Sequence, residues 1–136
     1  MRKGCNRKRL ALTTAWLFVS GTCGAAEPKL RCIIEQGGAR QSVETRLTTA
    51  PYAASAINLS NRFRFKVVMF GKDSAVDYIK LYSYYTTGKQ VILLHEMKYF
   101  PPNLESGSEI SLGTHYVYAP LYQREMQYSC ALYRSR

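Results

Sequence analysis

The chain has 136 residues, 19 Lys and Arg against nine Asp and Glu, four Cys and a pI near 9.6; that is one domain's worth of polypeptide. It contains no Gly-rich phosphate loop, no His-Glu-x-x-His and no nucleophile elbow, and only two His, which excludes the common motif-borne nucleotide, zinc-protease and serine-hydrolase chemistries. No metal, no cofactor and no catalytic residue is assigned on this basis.

The first residues set the compartment. Arg2, Lys3, Arg7, Lys8 and Arg9 form a positive segment, Leu10 to Ser20 a short apolar run, and Gly24-Ala25-Ala26 a small-residue cleavage site, the three parts of a secretory signal. Residues 1–26 are therefore read as a signal peptide cleaved after Ala26, and 27–136 as a single exported β-domain, periplasmic or secreted. A lipoprotein anchored through Cys23 is the alternative, although Thr22 directly before the Cys fits a lipobox poorly. No later stretch approaches the roughly 20 apolar residues of a transmembrane helix, so none is expected in the mature chain. Cleavage removes five cations and no acid, leaving 14 Lys and Arg against nine Asp and Glu, a net charge of +5. Such a charge suits an anionic partner and also serves plain solubility.

Two Cys remain, Cys32 near the new N-terminus and Cys130 near the C-terminus, and an even pair in a short exported chain predicts a disulfide. Leu30, Cys32 and Ile34 alternate with Arg31 and Ile33 in a first strand, stopped at Gly37-Gly38, and Gln41 to Thr48 supplies its hairpin partner. Ala50 to Ser60 supports two readings. Thr49 with Pro51 would start a short helix, whereas Ser55, Ile57 and Leu59 would form one face of a strand.

The centre of the chain is a meander. Arg62-Phe63-Arg64-Phe65-Lys66-Val67 alternates basic and apolar residues, which turns Phe63, Phe65, Val67 and Met69 inward. After Gly71-Lys72-Asp73-Ser74, the run Val76 to Tyr85 places Ile79 and Leu81 on one face and Tyr78, Lys80, Tyr82 and Tyr84 on the other. A hairpin symmetric about Asp73 would oppose Arg64 to Tyr82, Arg62 to Tyr84 and Lys66 to Lys80. Thr86-Thr87-Gly88-Lys89 then leads into Gln90 to Tyr99, whose two faces are both apolar, the pattern of a central strand covered on both sides.

Pro101-Pro102-Asn103 and Ser106-Gly107-Ser108 form a loop that no strand crosses, expected to be the most mobile segment. Ile110 to Ala119 reads as a strand pair or one strand broken at Gly113. The last run turns Met126, Tyr128, Cys130 and Leu132 inward and Gln127, Ser129 and Tyr133 outward. The sum is an all-β fold: a small antiparallel β-sandwich or partly open barrel of six to eight short strands, its first and last strands joined by the disulfide. Tyr128-Ser129-Cys130 resembles the tyrosine two residues before the second cysteine of immunoglobulin domains. The only Trp, however, lies in the leader and six residues follow Cys130, so the resemblance implies the architecture alone.

Arg62, Arg64, Lys66, Tyr78, Lys80, Tyr82 and Tyr84 are the candidate binding residues, because planar cations beside aromatic platforms suit anionic polymers and protein hot spots. They point to a non-catalytic exported binding or accessory module, docking a protein or an anionic polymer of the cell envelope. Nucleic acid is not the expected partner, since no base-reading motif is present. The alternative is a small secreted ribonuclease with His95 and His115 as base and acid and Lys98 or Arg124 holding phosphate. Against it, a His in the apolar run Leu93 to Met97 is expected to be structural, bonded to Glu96 or the backbone, with His115 exposed at a strand end.

Overall fold

The computed structural model describes residues 26–59 and 62–136; the signal segment up to residue 25, with Cys23, and the Ser60-Asn61 part of the Asn58–Asn61 cluster lie outside the described residues. Among the described residues, eight strands form two antiparallel four-stranded sheets. In the first, β1 (Pro28–Gln36), β2 (Ala39–Arg46), β7 (Glu109–Ala119) and β8 (Arg124–Arg134) run in the order β2-β1-β8-β7. In the second, β3 (Ile57–Asn58), β4 (Phe63–Lys72), β5 (Ala75–Thr87) and β6 (Gln90–Tyr99) follow chain order. The fold is an all-β sandwich.

Alternation produces the core. Leu30, Cys32 and Ile34 of β1 and Met126, Tyr128, Cys130 and Leu132 of β8 face Phe63, Phe65, Val67 and Met69 of β4 and Ile79, Leu81 and Tyr85 of β5, all of them buried. Phe65 packs on Tyr128 with ring centroids 4.8 Å apart, joining the two sheets at their middle. Every core residue among the described residues lies between Leu30 and Leu132. Cys32 lies directly opposite Cys130 in the β1–β8 ladder, and the two form the expected disulfide. The bridge is therefore inside one sheet, between the chain's first and last strands.

Four irregularities set the registers. Gly37-Gly38, both at positive φ, makes the two-residue turn of the β1–β2 hairpin, a conformation glycine adopts without steric cost. In the β4–β5 hairpin the tip residues Asp73 and Ser74 are both at positive φ, and the register slips between Phe70 and Gly71 so that Asp77 is an extra residue on β5. The pairs are consequently Arg64–Tyr84, Lys66–Tyr82 and Val68–Lys80, two residues away from symmetry about Asp73. The expected opposition of Lys66 to Lys80 does not occur, and Arg62, at φ 73°, precedes the strand.

The third irregularity is the slip in β6 between the pairs Ser83–His95 and Tyr84–Leu93, which leaves Leu94 unpaired. It reverses the alternation. Ile92 and Leu94 face inward on one side of it and His95, Met97 and Tyr99 on the other, while Val91 and Leu93 turn out to solvent with 51% and 48% exposure. The strand is thus a sheet edge with one covered face, not the central, doubly covered strand that its composition suggested.

Residues 50–60 realise a part of each reading, a single 3-10 turn at Pro51–Ala53 followed by the two-residue strand β3. A β-bulge between Ser111 and Thr114, with Gly113 at φ 84°, keeps β7 one strand. The loop expected to be mobile is tied down: Leu104 enters the core, Gly107 N donates to Arg134 O and Arg134 N to Ser108 O. Arg134 also donates to the carbonyl of Ser74, linking β8 to the β4–β5 turn.

Candidate binding face

The face of the β3-β4-β5-β6 sheet that points away from the core is built by the residues between the buried ones. Two-residue periodicity sends Arg64, Lys66 and Phe70 outward from β4, Tyr78, Lys80, Tyr82 and Tyr84 from β5, and Glu96 and Lys98 from β6. Six of the seven sequence candidates share this surface. Arg62 does not lie on the strand; it is exposed just before Phe63.

The bulges decide which side chains meet. Lys66 and Lys80 flank the Tyr82 ring at 5.8 and 5.7 Å from its centroid, and Lys98 sits 4.7 Å from the Tyr78 centroid and 4.8 Å from that of Phe100. Ammonium groups at such distances are held by the ring quadrupole. Tyr82 stacks with Tyr84, at 6.1 Å and 15° between planes, and Phe70 with Tyr78, at 5.0 Å and 21°. The like-charge pair that the register does create is Lys80 opposite Lys98. It is relieved by neighbours on both sides: Lys80 Nζ donates to Glu96 Oε1 at 3.1 Å, and Lys98 turns to its two rings.

The electrostatics follow from these contacts. The hydrogen bond to Glu96, then that to Tyr82, holds the Lys80 ammonium above the ordinary lysine range, so it stays charged at any physiological pH. Partial burial, then the charges of Tyr82 and Glu96, pushes the Tyr84 phenol up. Arg64, Lys66, Lys80 and Lys98 share the face with the carboxylate of Glu96. The resulting surface is cationic and ring-bearing. The sequence candidates for this face did not include Phe70, Lys98 and Phe100; Lys98, named there only as a phosphate-holding residue, was legible as two residues beyond Glu96 on one strand face, but its aromatic partners depend on the bulged registers.

A second constellation lies between the sheets. The phase change at Leu94 turns His95 inward, where its Nδ1 lies 3.1 Å from the Tyr128 hydroxyl, the partner in place of Glu96 or the backbone. His115, half-buried instead of exposed, stacks on the Tyr128 ring at 5.0 Å, has Nε2 3.1 Å from Leu112 O, and lies 5.8 Å from His95 between ring centroids. Burial first, then the neighbouring His115, lowers the His95 pKa, and burial drives the Tyr128 phenol up to about 12. Both groups are therefore neutral near pH 7. Ser83, opposite His95 on β5, is fully buried. Lys98 projects from the opposite face of β6, and Arg124 is exposed four residues along β8 from Tyr128, so neither joins the imidazole pair.

No protein-family model matches the chain, and no curated protein and no solved structure matches it. Among the described residues no helix is long and apolar enough to cross a membrane.

Proposed function

We propose that the chain is an exported, non-catalytic binding module, periplasmic or secreted, that docks an anionic polymer of the cell envelope on the outer face of β4, β5 and β6. The observation that carries this reading is the seating of Lys66, Lys80 and Lys98 over the faces of Tyr82, Tyr78 and Phe100. Rings that fix ammonium groups on a sheet reduce the side-chain entropy lost on binding, and the same rings offer platforms for sugar or other planar faces. Export is supported by the Cys32–Cys130 disulfide, a bond that persists in oxidising compartments, and by the leader-like composition of residues 1–26.

The test is a titration of a labelled acidic polysaccharide, polygalacturonate, against the parent, Arg64→Ala, Tyr82→Ala and Lys98→Ala. Each variant is expected to bind at least about fivefold more weakly, the loss of roughly 1 kcal/mol that a contributing interface residue carries. Added salt is expected to shrink the contributions of Arg64 and Lys98 and to leave that of Tyr82, because screening acts on exposed charge. Parental affinity in all three variants refutes the reading. Binding confined to an acidic protein makes the chain an accessory docking subunit instead.

The adjacency of His95 and His115 favours a second reading, the small ribonuclease with the two imidazoles as base and acid. Incubation of the folded chain with RNA decides it: cleavage that is lost in His95→Ala and His115→Ala would establish the enzyme and displace the binding module.

A further inference from the structure

One end of the sandwich has a different surface chemistry from the tyrosine face. The β5–β6 turn at Gly88-Lys89 and the β7–β8 connection, a 3-10 turn at Pro120–Tyr122, meet there, held together by Tyr85 stacked on Tyr122 at 4.6 Å. An apolar pocket of about 100 Å³ opens between Tyr85, Ile92, Leu94, Ala119 and Leu121. Of the eight large hydrophobic side chains exposed among the described residues, six lie within four residues of these two connections. Leu121, at the tip, is 79% exposed.

The arrangement of the six selects the partner. Val91 and Leu93 point out from one sheet, Tyr116 and Tyr118 from the other, and Leu121 and Tyr122 occupy the tip between them. A flat protein surface covers one of these directions. A medium that the tip enters covers all of them, and tyrosine, apolar in body and polar at its hydroxyl, suits the level where water gives way to acyl chain. Around this girdle lie Arg62, Lys89 and Arg124, none of which forms an ion pair among the described residues. Arg62 borders the same end, lining a pocket with Thr86 of β5. The nearby acids are Glu125 and Glu35, and Glu35 is already paired with Arg40 at 3.6 Å.

We propose that this end of the sandwich docks on an anionic lipid bilayer. Leu121 and Tyr122 enter the boundary between headgroups and acyl chains, the outward tyrosines sit at its polar level, and Arg62, Lys89 and Arg124 lie among the lipid phosphates. The site adjoins the polymer-binding face at the Tyr84–Leu93 pair and does not use Lys66, Tyr82 or Lys98.

Sedimentation of the chain from Glu27 onward, which contains every core residue found among the described residues, with phosphatidylcholine vesicles made with and without phosphatidylglycerol tests the proposal. Binding is expected to the phosphatidylglycerol vesicles alone. Leu121→Asp is expected to abolish it with an unchanged unfolding midpoint, since the side chain is exposed. Lys89→Ser and Arg124→Ser are each expected to lower it about fivefold, the contribution of one cation at an anionic surface, and Lys72→Ala, at the opposite end of β4, to leave it unchanged. Lys89→Arg retains the parent's binding. Equal binding to both vesicles, parental binding by Leu121→Asp, or a self-association that Leu121→Asp abolishes while the vesicles remain bare overturns it. Loss of polysaccharide binding with vesicle binding intact removes the polymer reading and leaves this one standing.

Discussion

Replacing Cys32 and Cys130 by Ala isolates what the disulfide contributes. The two residues are directly opposite in a ladder that is hydrogen-bonded on either side of them, so the strands have native partners without the bond. Its effect therefore falls mainly on the unfolded chain, where it closes a loop of sequence separation 98. In the chain-entropy account a loop of that length is worth roughly 4.7 kcal/mol at 25 °C. Unfolding entropy of about 2.1 cal/mol/K per residue gives a domain of about 110 residues roughly 0.23 kcal/mol/K, so the melting temperature is expected to fall by about 20 °C. Differential scanning calorimetry of parent and double variant measures this directly. The enthalpy of unfolding, compared at one temperature, is expected to change little. A fall of less than about 5 °C, or a stability loss carried mostly by enthalpy, would refute the argument and assign the effect to packing around the sulfur atoms.

Phe65→Ala, at a site buried against Tyr128, is expected to cost roughly 3–5 kcal/mol, and Arg64→Ala under about 1 kcal/mol; equal costs in urea titrations would overturn the face assignment. Gly71→Ala is expected to destabilise by about 1–3 kcal/mol, because a Cβ there would meet the Ala75 carbonyl oxygen at 2.0 Å, with the loss of cross-strand nuclear Overhauser contacts in the hairpin as its signature. His95 has a folded pKa below its ordinary 6.5, so the unfolded chain binds the proton first. Stability is then complete above pH 6.5 and falls as pH drops through the folded value, a slope that His95→Asn is expected to flatten. Tyr128 has the opposite sign: raised from 10.0 to about 12, it keeps its contribution below pH 10 and loses it as pH rises through 12.

The faces of β4 and β5 were readable because their alternation is unbroken from Phe63 to Val67 and from Tyr78 to Tyr85, and burial against one core leaves no other phase. Registers were less readable. The turn between Asp73 and Ser74 and the added residue at Asp77 each shift the pairing by one, and neither has a compositional mark strong enough to overcome symmetry. In β6 the sequence did hold a trace of the bulge: Ile92 and Leu94 keep one parity and His95, Met97 and Tyr99 the other. Read as one uninterrupted strand, that phase change looks like two apolar faces. The meeting of His95 with His115 and Tyr128 could not be read locally, because it depends on how the two sheets face each other.

The adjacency of β1 and β8 governs the order in which the molecule can assemble. The β4-β5-β6 meander closes through short turns and is complete once Tyr99 is present. The β1–β2 hairpin has no such independence: a lone two-stranded ribbon is marginal in water, and its other neighbour is the final strand, Arg124–Arg134. During synthesis Cys32 cannot form its native disulfide until Cys130 has emerged. The high mean separation of contacting residues implied by a first-to-last pairing places folding in the slow, millisecond-to-second regime of non-local β proteins. Because β8 is an interior strand, a chain cut before Arg124 loses both the β1 and the β7 ladders at once, so truncation at the C-terminus is expected to abolish one whole sheet instead of fraying an end.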